Sequence, residues 1–548
     1  MQDNILINTV LANKKELATK TKLILSNIAL SILSGLLLAY AYPPYNFSFL
    51  AFFAIAILLI INELACKINL KLRYTFLLFW LSGVITNIIV THWLYHTVII
   101  PVLLIHCINP IFIAFVLTVY SKVYRKFSRK IAYCSLILLW ICFEYLHHNW
   151  QLSYPFLTLG NTLAGFPELI QWYSYVGVLG GSLWVLLVSI GLYETIFSPN
   201  QPKERVKRAI FTSCVLILPI LVSLFMFYGY EEKGESIEVI AIHPSTDCYT
   251  EKYEISSEAL TEKYIALIEK AITKQTKIVF LPETAITDAG WHGNETANKS
   301  IELLRNCLKK YHDTQIISGG VLYKQATEKD ATEAKEANLN YTKEHNYWYY
   351  AYNVALRIDT TKNNLVHCKQ HLVPFEERIP YENYLGFTKG LVEKLGFWHF
   401  STNIPQQNTF FSSNGNIAPL ICFESLFGQS AAKSVQEGAS AICVLLNEGW
   451  YKHKTGATQF MYFATLRAIE NRRAVVRSSN NGYSCFINQR GEITQKQGEM
   501  KPSALIGQIQ LNKEISFYTK FPNLVGKLAC LGLVILLFFI IKRMYHTL

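Results

Sequence analysis

Ile417-Ala-Pro-Leu-Ile-Cys-Phe-Glu-Ser-Leu-Phe-Gly428 runs an apolar, β-type stretch into a cysteine, Cys422, with a glutamate, Glu424, two residues later. A short apolar run bounded by a turn reads as a buried strand, expected here over 417–424. Cysteine is among the most buried residue types, so Cys422 taken alone reads as a core thiol. A thiol with a pKa near ~8.5 becomes a nucleophile only when a base or a cation stands beside it. What surrounds this stretch decides between the two readings.

On either side of it, from 231 to 515, charged residues are frequent and β-type runs alternate with helical ones, the pattern of a layered α/β domain. Strands are expected at 236–244, 277–283, 314–323, 349–359, 364–370, 417–424, 440–447, 474–481, 483–489 and 504–511, and helices at 256–274 and 462–473. The polar stretch 324–346 reads as a solvated surface insertion.

The remainder of the chain is different. Hydrophobic residues make up 51% of the sequence, and before residue 230 they collect in runs near the roughly 20 residues that cross a bilayer as helix. Spans are expected near 22–41, 46–64, 74–95, 98–120, 131–149, 168–197 and 209–229, with a last one at 523–541. The first reads as an anchor, not a cleaved signal peptide. Lysine and arginine fill alternate connections: Lys14, Lys15, Lys20 and Lys22, then Lys67, Lys71 and Arg73, then Lys122 to Lys130, then Lys203 to Arg208. Cations are retained on the cytoplasmic side, so the segment after Tyr230 is expected outside and Lys542-Arg543 inside. The net charge of +12 is thus mostly topology, and no nucleic-acid partner is expected. The expected division is a membrane part at 1–230, a catalytic domain at 231–515, and a last span with a short tail at 516–548. No metal-ligand spacing is present, and a disulfide among Cys248, Cys307, Cys368, Cys443 and Cys485 stays open.

Two further β-run ends carry ionisable residues: Pro282-Glu283 closes "KIVFLPE", and Lys369 lies in "NLVHCKQHLVPFEERIP". In order, Pro-Glu, Lys-x-x-Leu-Val-Pro-Phe-x-Glu and Ile-Cys-aromatic-Glu resemble the nitrilase superfamily. With seven spans before and one after, and with "LLWICFEYL" (138–146) and "YPFLTLGN" (154–161) in the membrane part, the whole chain resembles the apolipoprotein N-acyltransferase family.

That resemblance implies a membrane bundle of about eight helices carrying an extracytoplasmic αββα sandwich, with a catalytic triad of Glu283, Lys369 and Cys422. Cys422 would carry the acyl chain as a thioester, Glu283 would move the protons, and Lys369 would stabilise the oxyanion and help hold a thiolate. Glu377 and Glu424 match acidic positions that support the lysine and the acceptor amine; Phe423 stands where tyrosine is frequent. The implied donor is a phospholipid such as phosphatidylethanolamine, and the acceptor is the α-amino group of a diacylglyceryl cysteine on an apolipoprotein. No cofactor or metal is implied, and the implied enzyme is a monomer in a bacterial inner membrane. The chain departs from the pattern at Glu376 (glycine in the family), Glu448 (aspartate) and Gln459 (often histidine).

Between Lys369 and Cys422 the segment 383–400 is rich in apolars with an exposed look: Tyr384, Leu385, Phe387, Leu391, Leu395, Phe397, Trp398 and Phe400. With glycines at 386, 390 and 396 it reads as a mobile arm that meets the bilayer; core packing is the alternative. Three competing classes fit less. A tethered amidase needs neither seven spans nor such an arm. A non-catalytic relative would be expected to lose a triad member, and a transporter would show broken helices with midplane charge beyond Glu144.

Overall fold

The computed structural model describes all residues except 1, 98, 198–200, 328–338, 343–346, 362–363, 391–398, 405–406, 453, 499 and 546–548. Among the described residues, eight helices are long and apolar enough to cross a membrane. They run Gln2–Ala41, Leu50–Lys67, Leu72–Thr91, Ile99–Lys126, Arg129–His147, Tyr173–Ile196, Pro202–Gly229 and Leu524–Tyr545. Their outward faces leave large apolar side chains uncovered, as with Phe211, Phe225 and Phe538, which only a lipid surround satisfies. Inward faces interlock, for example Phe52 edge-on to Trp184 at 5.2 Å.

Two spans depart from the continuous helices expected. The third helix stops at Thr91 and gives way to a 3₁₀ turn, His92–His96. The sixth begins at Tyr173, not near 168, because Pro155 and Pro167 break the chain before it into 3₁₀ turns at Pro155–Leu157, Leu159–Leu163 and Pro167–Leu169. Glu144, at 4% exposure, secures that irregular segment: its Oε1 accepts from Trp140 Nε1 (2.9 Å) and from the Leu159 amide (2.8 Å). It is therefore a buried hydrogen-bond anchor inside the bundle.

After the seventh helix come the strands β1 (Glu235–His243), β2 (Thr276–Phe280), β3 (Gln315–Gln325), β4 (Asn340–Thr342), β5 (Tyr347–Ile358), β6 (Leu365–Cys368), β7 (Ile417–Ile421), β8 (Ala441–Leu446), β9 (Val475–Ser479), β10 (Ser484–Ile487), β11 (Ile493–Gln497) and β12 (Ser503–Leu511). One sheet has the order β12-β1-β2-β3-β5-β4 with β6 also on β5; the other has the order β11-β10-β9-β8-β7. Their facing sides share one apolar core, with Val239, Ile278, Phe280 and Ile317 meeting Ile421, Cys443, Leu445 and Val476. The helices Ser257–Ala271 and Lys299–Cys307 cover the outside of the first sheet. Gly428–Gln436 and Lys454–Asn471 cover the second, giving the αββα layering expected.

β7 is an edge strand, which is why Pro419 is tolerated within it. Two strands had no signal in the sequence. β11 is a polar edge whose residues are mostly exposed, and β4 lies inside the stretch expected to be a plain surface insertion, pairing with β5. Cys248, Cys307, Cys443 and Cys485 are free thiols, and the Cys368 thiol donates to the Ser401 carbonyl (3.4 Å).

The bundle and the helix-covered face of the second sheet share one apolar cluster. Trp93, Tyr154 and Phe156 from the membrane part pack with Phe423, Phe427, Tyr451 and Phe460. Gln459 completes the seam: Trp93 Nε1 donates to its Oε1 (2.9 Å), and its Nε2 donates to the carbonyls of Pro43 (2.8 Å) and Val90 (2.7 Å).

Candidate active site

Three strand ends meet at this seam. β7 ends at Ile421, three residues short of the strand expected over 417–424, because Cys422 takes a left-handed φ of +48° and opens a 3₁₀ turn, Cys422–Leu426. For a non-glycine residue that conformation costs ~1–3 kcal/mol and persists only where the surroundings impose it. The turn is closed by Ser425 Oγ donating to the Cys422 carbonyl (2.7 Å). Cys422 is 8% exposed, and its sulfur lies 3.8 Å from Tyr451 Oη.

Glu283 follows β2, and its turn presses against β3 at Gly319, where a Cβ would lie 2.5 Å from the Pro282 carbonyl oxygen. Only glycine allows that approach. The carboxylate is held on both oxygens: Oε1 accepts from Lys369 Nζ (3.1 Å) and Asn353 Nδ2 (2.8 Å), and Oε2 from the Asn447 amide (3.1 Å). Lys369 extends β6, its amide bonded to the Asn353 carbonyl (2.9 Å), and at 1% exposure its ammonium also donates to Glu377 Oε1 (2.7 Å). Glu377 is steadied in turn by the Val373 amide on Oε2 (2.8 Å). Burial disfavours the Lys369 ammonium, but the carboxylates of Glu283 and Glu377 overcome it and hold its pKa well above the usual lysine value.

The sulfur behaves otherwise. Burial, then the Glu283 carboxylate, push the Cys422 thiol well above its usual pKa against the opposing pull of Lys369. Burial and the Glu283 charge thus act against the thiolate, while Lys369 acts for it, the direction expected of that lysine.

Glu424 is 1% exposed and faces protein on all sides: Oε2 accepts from His367 Nε2 (3.0 Å) and the Ile421 amide (3.1 Å), and Oε1 from the Gln370 amide (3.1 Å). It ties β6 to the end of β7. Burial raises its pKa, but His367 prevails and the net displacement is downward. Phe423 is buried, edge-on to Phe427 at 5.2 Å and 6.0 Å from Phe156. Glu376, where the family pattern has glycine, has its pKa raised to about 7, chiefly by burial, with a hydrogen bond to Thr97 opposing.

Of the arm, Tyr384 and Phe387 are over four-fifths exposed. Leu391, Leu395, Phe397 and Trp398 lie outside the described residues. Phe400 does not belong to an exposed arm: it is buried with Val321, Ala351 and Leu372, and its amide donates to the Glu377 carbonyl (2.8 Å). Glu448, Arg477, Arg467 and Glu470 form buried scaffold pairs, Arg477 to Glu448 at 2.9 Å and Arg467 to Glu470 at 2.7 Å.

Sequence reading missed Asn353, Asn447 and Lys252 as site residues. Asn353 had a signal, being a lone amide amid the apolar β5 run; Lys252, in the polar "YTEKYE", had none.

Comparison with known proteins agrees with this architecture. The family model of the apolipoprotein N-acyltransferase N-terminal domain matches residues 34–191, and that of carbon-nitrogen hydrolase matches residues 244–518. An apolipoprotein N-acyltransferase of Chlorobaculum tepidum is 23% identical over 92% of this chain and 94% of its own. Apolipoprotein N-acyltransferase 1 of Treponema denticola is 28% identical over 94% of this chain and 96% of its own. The solved structure of Saccharomyces cerevisiae Nit3, a member of branch 10 of the nitrilase superfamily, covers 53% of this chain and 96% of its own at 19% identity, with a TM-score of 0.35 that is too low to bear on the fold. With its membrane bundle and its carbon-nitrogen hydrolase domain, the chain belongs to the apolipoprotein N-acyltransferase family, enzymes of the acyltransferase class.

Proposed function

We propose that this enzyme transfers an acyl chain in two half-reactions through a thioester on Cys422, from a membrane phospholipid, phosphatidylethanolamine by preference, to the α-amino group of the diacylglyceryl cysteine of an apolipoprotein. The observation that carries the reading is the convergence of a buried thiol, a carboxylate and an ammonium from three separate strand ends, Glu283 and Lys369 in contact at 3.1 Å.

In the first half-reaction Glu283 takes the thiol proton as the sulfur attacks the ester carbonyl, the carbon–oxygen ester bond breaks, and the proton passes to the departing lyso-lipid. In the second, the acceptor amine attacks the thioester, Glu283 takes the amine proton, and the proton returns to the leaving sulfur. Lys369, together with the amide following Cys422, stabilises the oxyanion in both steps; one such donor contributes roughly 10²–10³ in rate. Glu377 holds Lys369 in place, and Glu424 braces the two strands. The exposed Tyr384 and Phe387 support a role for the arm in drawing acyl chains from the bilayer. The alternating Lys and Arg clusters support a periplasmic position for residues 231–515 and an inner-membrane location. One chain supplies every member of the site, in keeping with a monomer.

Intact-mass measurement after incubation with phosphatidylethanolamine and no acceptor tests this. A hydroxylamine-labile acyl adduct on the wild type, absent from Cys422→Ser, is the expected result; no adduct on lipid-bound wild type would overturn it.

A further inference from the structure

Behind Glu283 lies a second buried ammonium that the proposed reaction does not use. Lys252 sits in the loop after β1 and is fully buried. Its Nζ donates to the carbonyl of Glu283 (3.0 Å) and to Thr284 Oγ1 (2.7 Å). With the Asn447 amide turned so that its oxygen faces the ammonium, the third N–H is met at 3.1 Å, and the same oxygen accepts from Trp450 Nε1 at 3.2 Å. Among the described residues no carboxylate lies within ion-pair distance of Nζ. A lysine buried on neutral acceptors alone is costly and seldom found without a purpose.

What it touches gives the purpose. Thr284 has a left-handed φ of +48°, so the bond to its hydroxyl and the bond to the carbonyl before it hold a strained turn in shape. Asn447 is the residue whose backbone amide bonds Glu283 Oε2 at 3.1 Å. One ammonium thus grips both the backbone that carries the carboxylate and the residue that orients it. The loop is itself fixed, with the Lys252 amide on the Asp247 carbonyl (2.8 Å), Asp247 Oδ1 on the Tyr249 and Thr250 amides, and Tyr253 stacked on Trp450 at 5.8 Å.

We propose that Lys252 is a positioning residue for the proton transfers of Glu283, clamping the turn that aims the carboxylate and adding a second cation, on its backbone, to the one Lys369 sets on the carboxylate. This rests on the reading of Glu283 as the proton carrier for Cys422. Burial lowers the Lys252 pKa to about 8, so the ammonium is still the main form at neutral pH. The other titratable groups that act on the pair are Lys369, Glu377, Cys422 and Tyr451 around Glu283, Asp247, Cys248 and Tyr253 on the loop of Lys252, and Tyr323 on β3.

The test is the rate of acyl-enzyme formation from phosphatidylethanolamine in detergent micelles, followed by intact mass against pH, for full-length wild type, Lys252→Met and Lys252→Ala. Methionine keeps length and bulk without charge or donors. The expected loss in Lys252→Met is about 100-fold, the scale of a misplaced reacting group, with the acid limb of the pH profile moved upward. In Lys252→Ala, ethylammonium should restore roughly 10-fold of the lost rate, as a cation with free donors can, whereas n-propanol should restore none. A methionine variant at wild-type rate with an unmoved profile would overturn the inference, as would equal rescue by propanol, which marks a space-filling role. If the methionine variant does not fold, the rescue experiment decides. Absence of any adduct on the wild type defeats the thioester reading itself, whereas an adduct on the wild type and an unchanged methionine variant defeats only the role of Lys252.

Discussion

The pit around Cys422 and the arm between Lys369 and Cys422 belong to one stretch of chain, yet they solve opposite problems. In the pit, Glu283, Lys369 and Glu424 are each bonded on every side, with exposures of 6%, 1% and 1%. On the arm, Tyr384 and Phe387 leave over four-fifths of their surface bare. A polar group already oriented by the protein need not reorganise when charge develops, whereas an apolar group left bare keeps its burial energy for a lipid. In the proposed reaction chemistry falls to the strand ends, and capture to the segment between them.

The sharpest way to break this contrast is at the sulfur. Cys422→Ser should lower acyl transfer by about 10⁴-fold or more, with thermal stability near that of the wild type. A serine variant that still transfers would remove the pit from the reaction. Next in size is Glu377→Ala, which frees Lys369 on one side and should reduce the acylation rate by about 10²-fold, with little change in lipid affinity, as measured by single-turnover kinetics.

Glu424→Gln should cost about 1–3 kcal/mol of stability, because a buried, hydrogen-bonded charge is altered, and about 10-fold in rate by loosening β6 against β7. Its pH dependence has a definite sign. Glu424 has a lowered folded pKa, so its contribution is complete above the unfolded carboxyl value near ~4.3 and is lost as the pH falls through the folded value. Thermal melts of wild type and variant should therefore converge in acid.

The smallest effect belongs to the arm. Tyr384→Ser with Phe387→Ser should raise KM for vesicle-borne phosphatidylethanolamine by roughly 5-fold, about 1 kcal/mol of lost apolar contact, and leave kcat unchanged. If kcat fell as far as in Glu377→Ala, the division between pit and arm would fail.

Much of the pit was legible because its residue types are out of place: a glutamate and a lysine at the ends of apolar runs, and a cysteine facing them in a third. Conformation was not legible. Nothing local tells Cys422 to leave β7 at φ +48°; the 3₁₀ turn after it and the packing of Phe423 on Phe156 impose that. The sixth span was expected to start about five residues too early because Leu169, Ile170 and Trp172 extend its apolar run, while Pro167 folds that end into a 3₁₀ turn instead. Phe400 was read as part of the arm for the same reason, since hydropathy does not say which surface an aromatic covers. Lys252 shows the converse limit: a lysine among polar neighbours reads as solvated, and only tertiary structure reveals its ammonium under Glu283.

The seam through Trp93, Phe156, Phe423 and Phe460 also bears on how the protein can be handled. A gene truncated to the α/β part, or a protease cut on either side of it, would not liberate a secretable enzyme. It would strip the aromatic wall from beneath Cys422, leave Gln459 without its three partners, and present the bared rings to other copies, so that the severed half precipitates while the intact chain melts in detergent as one unit.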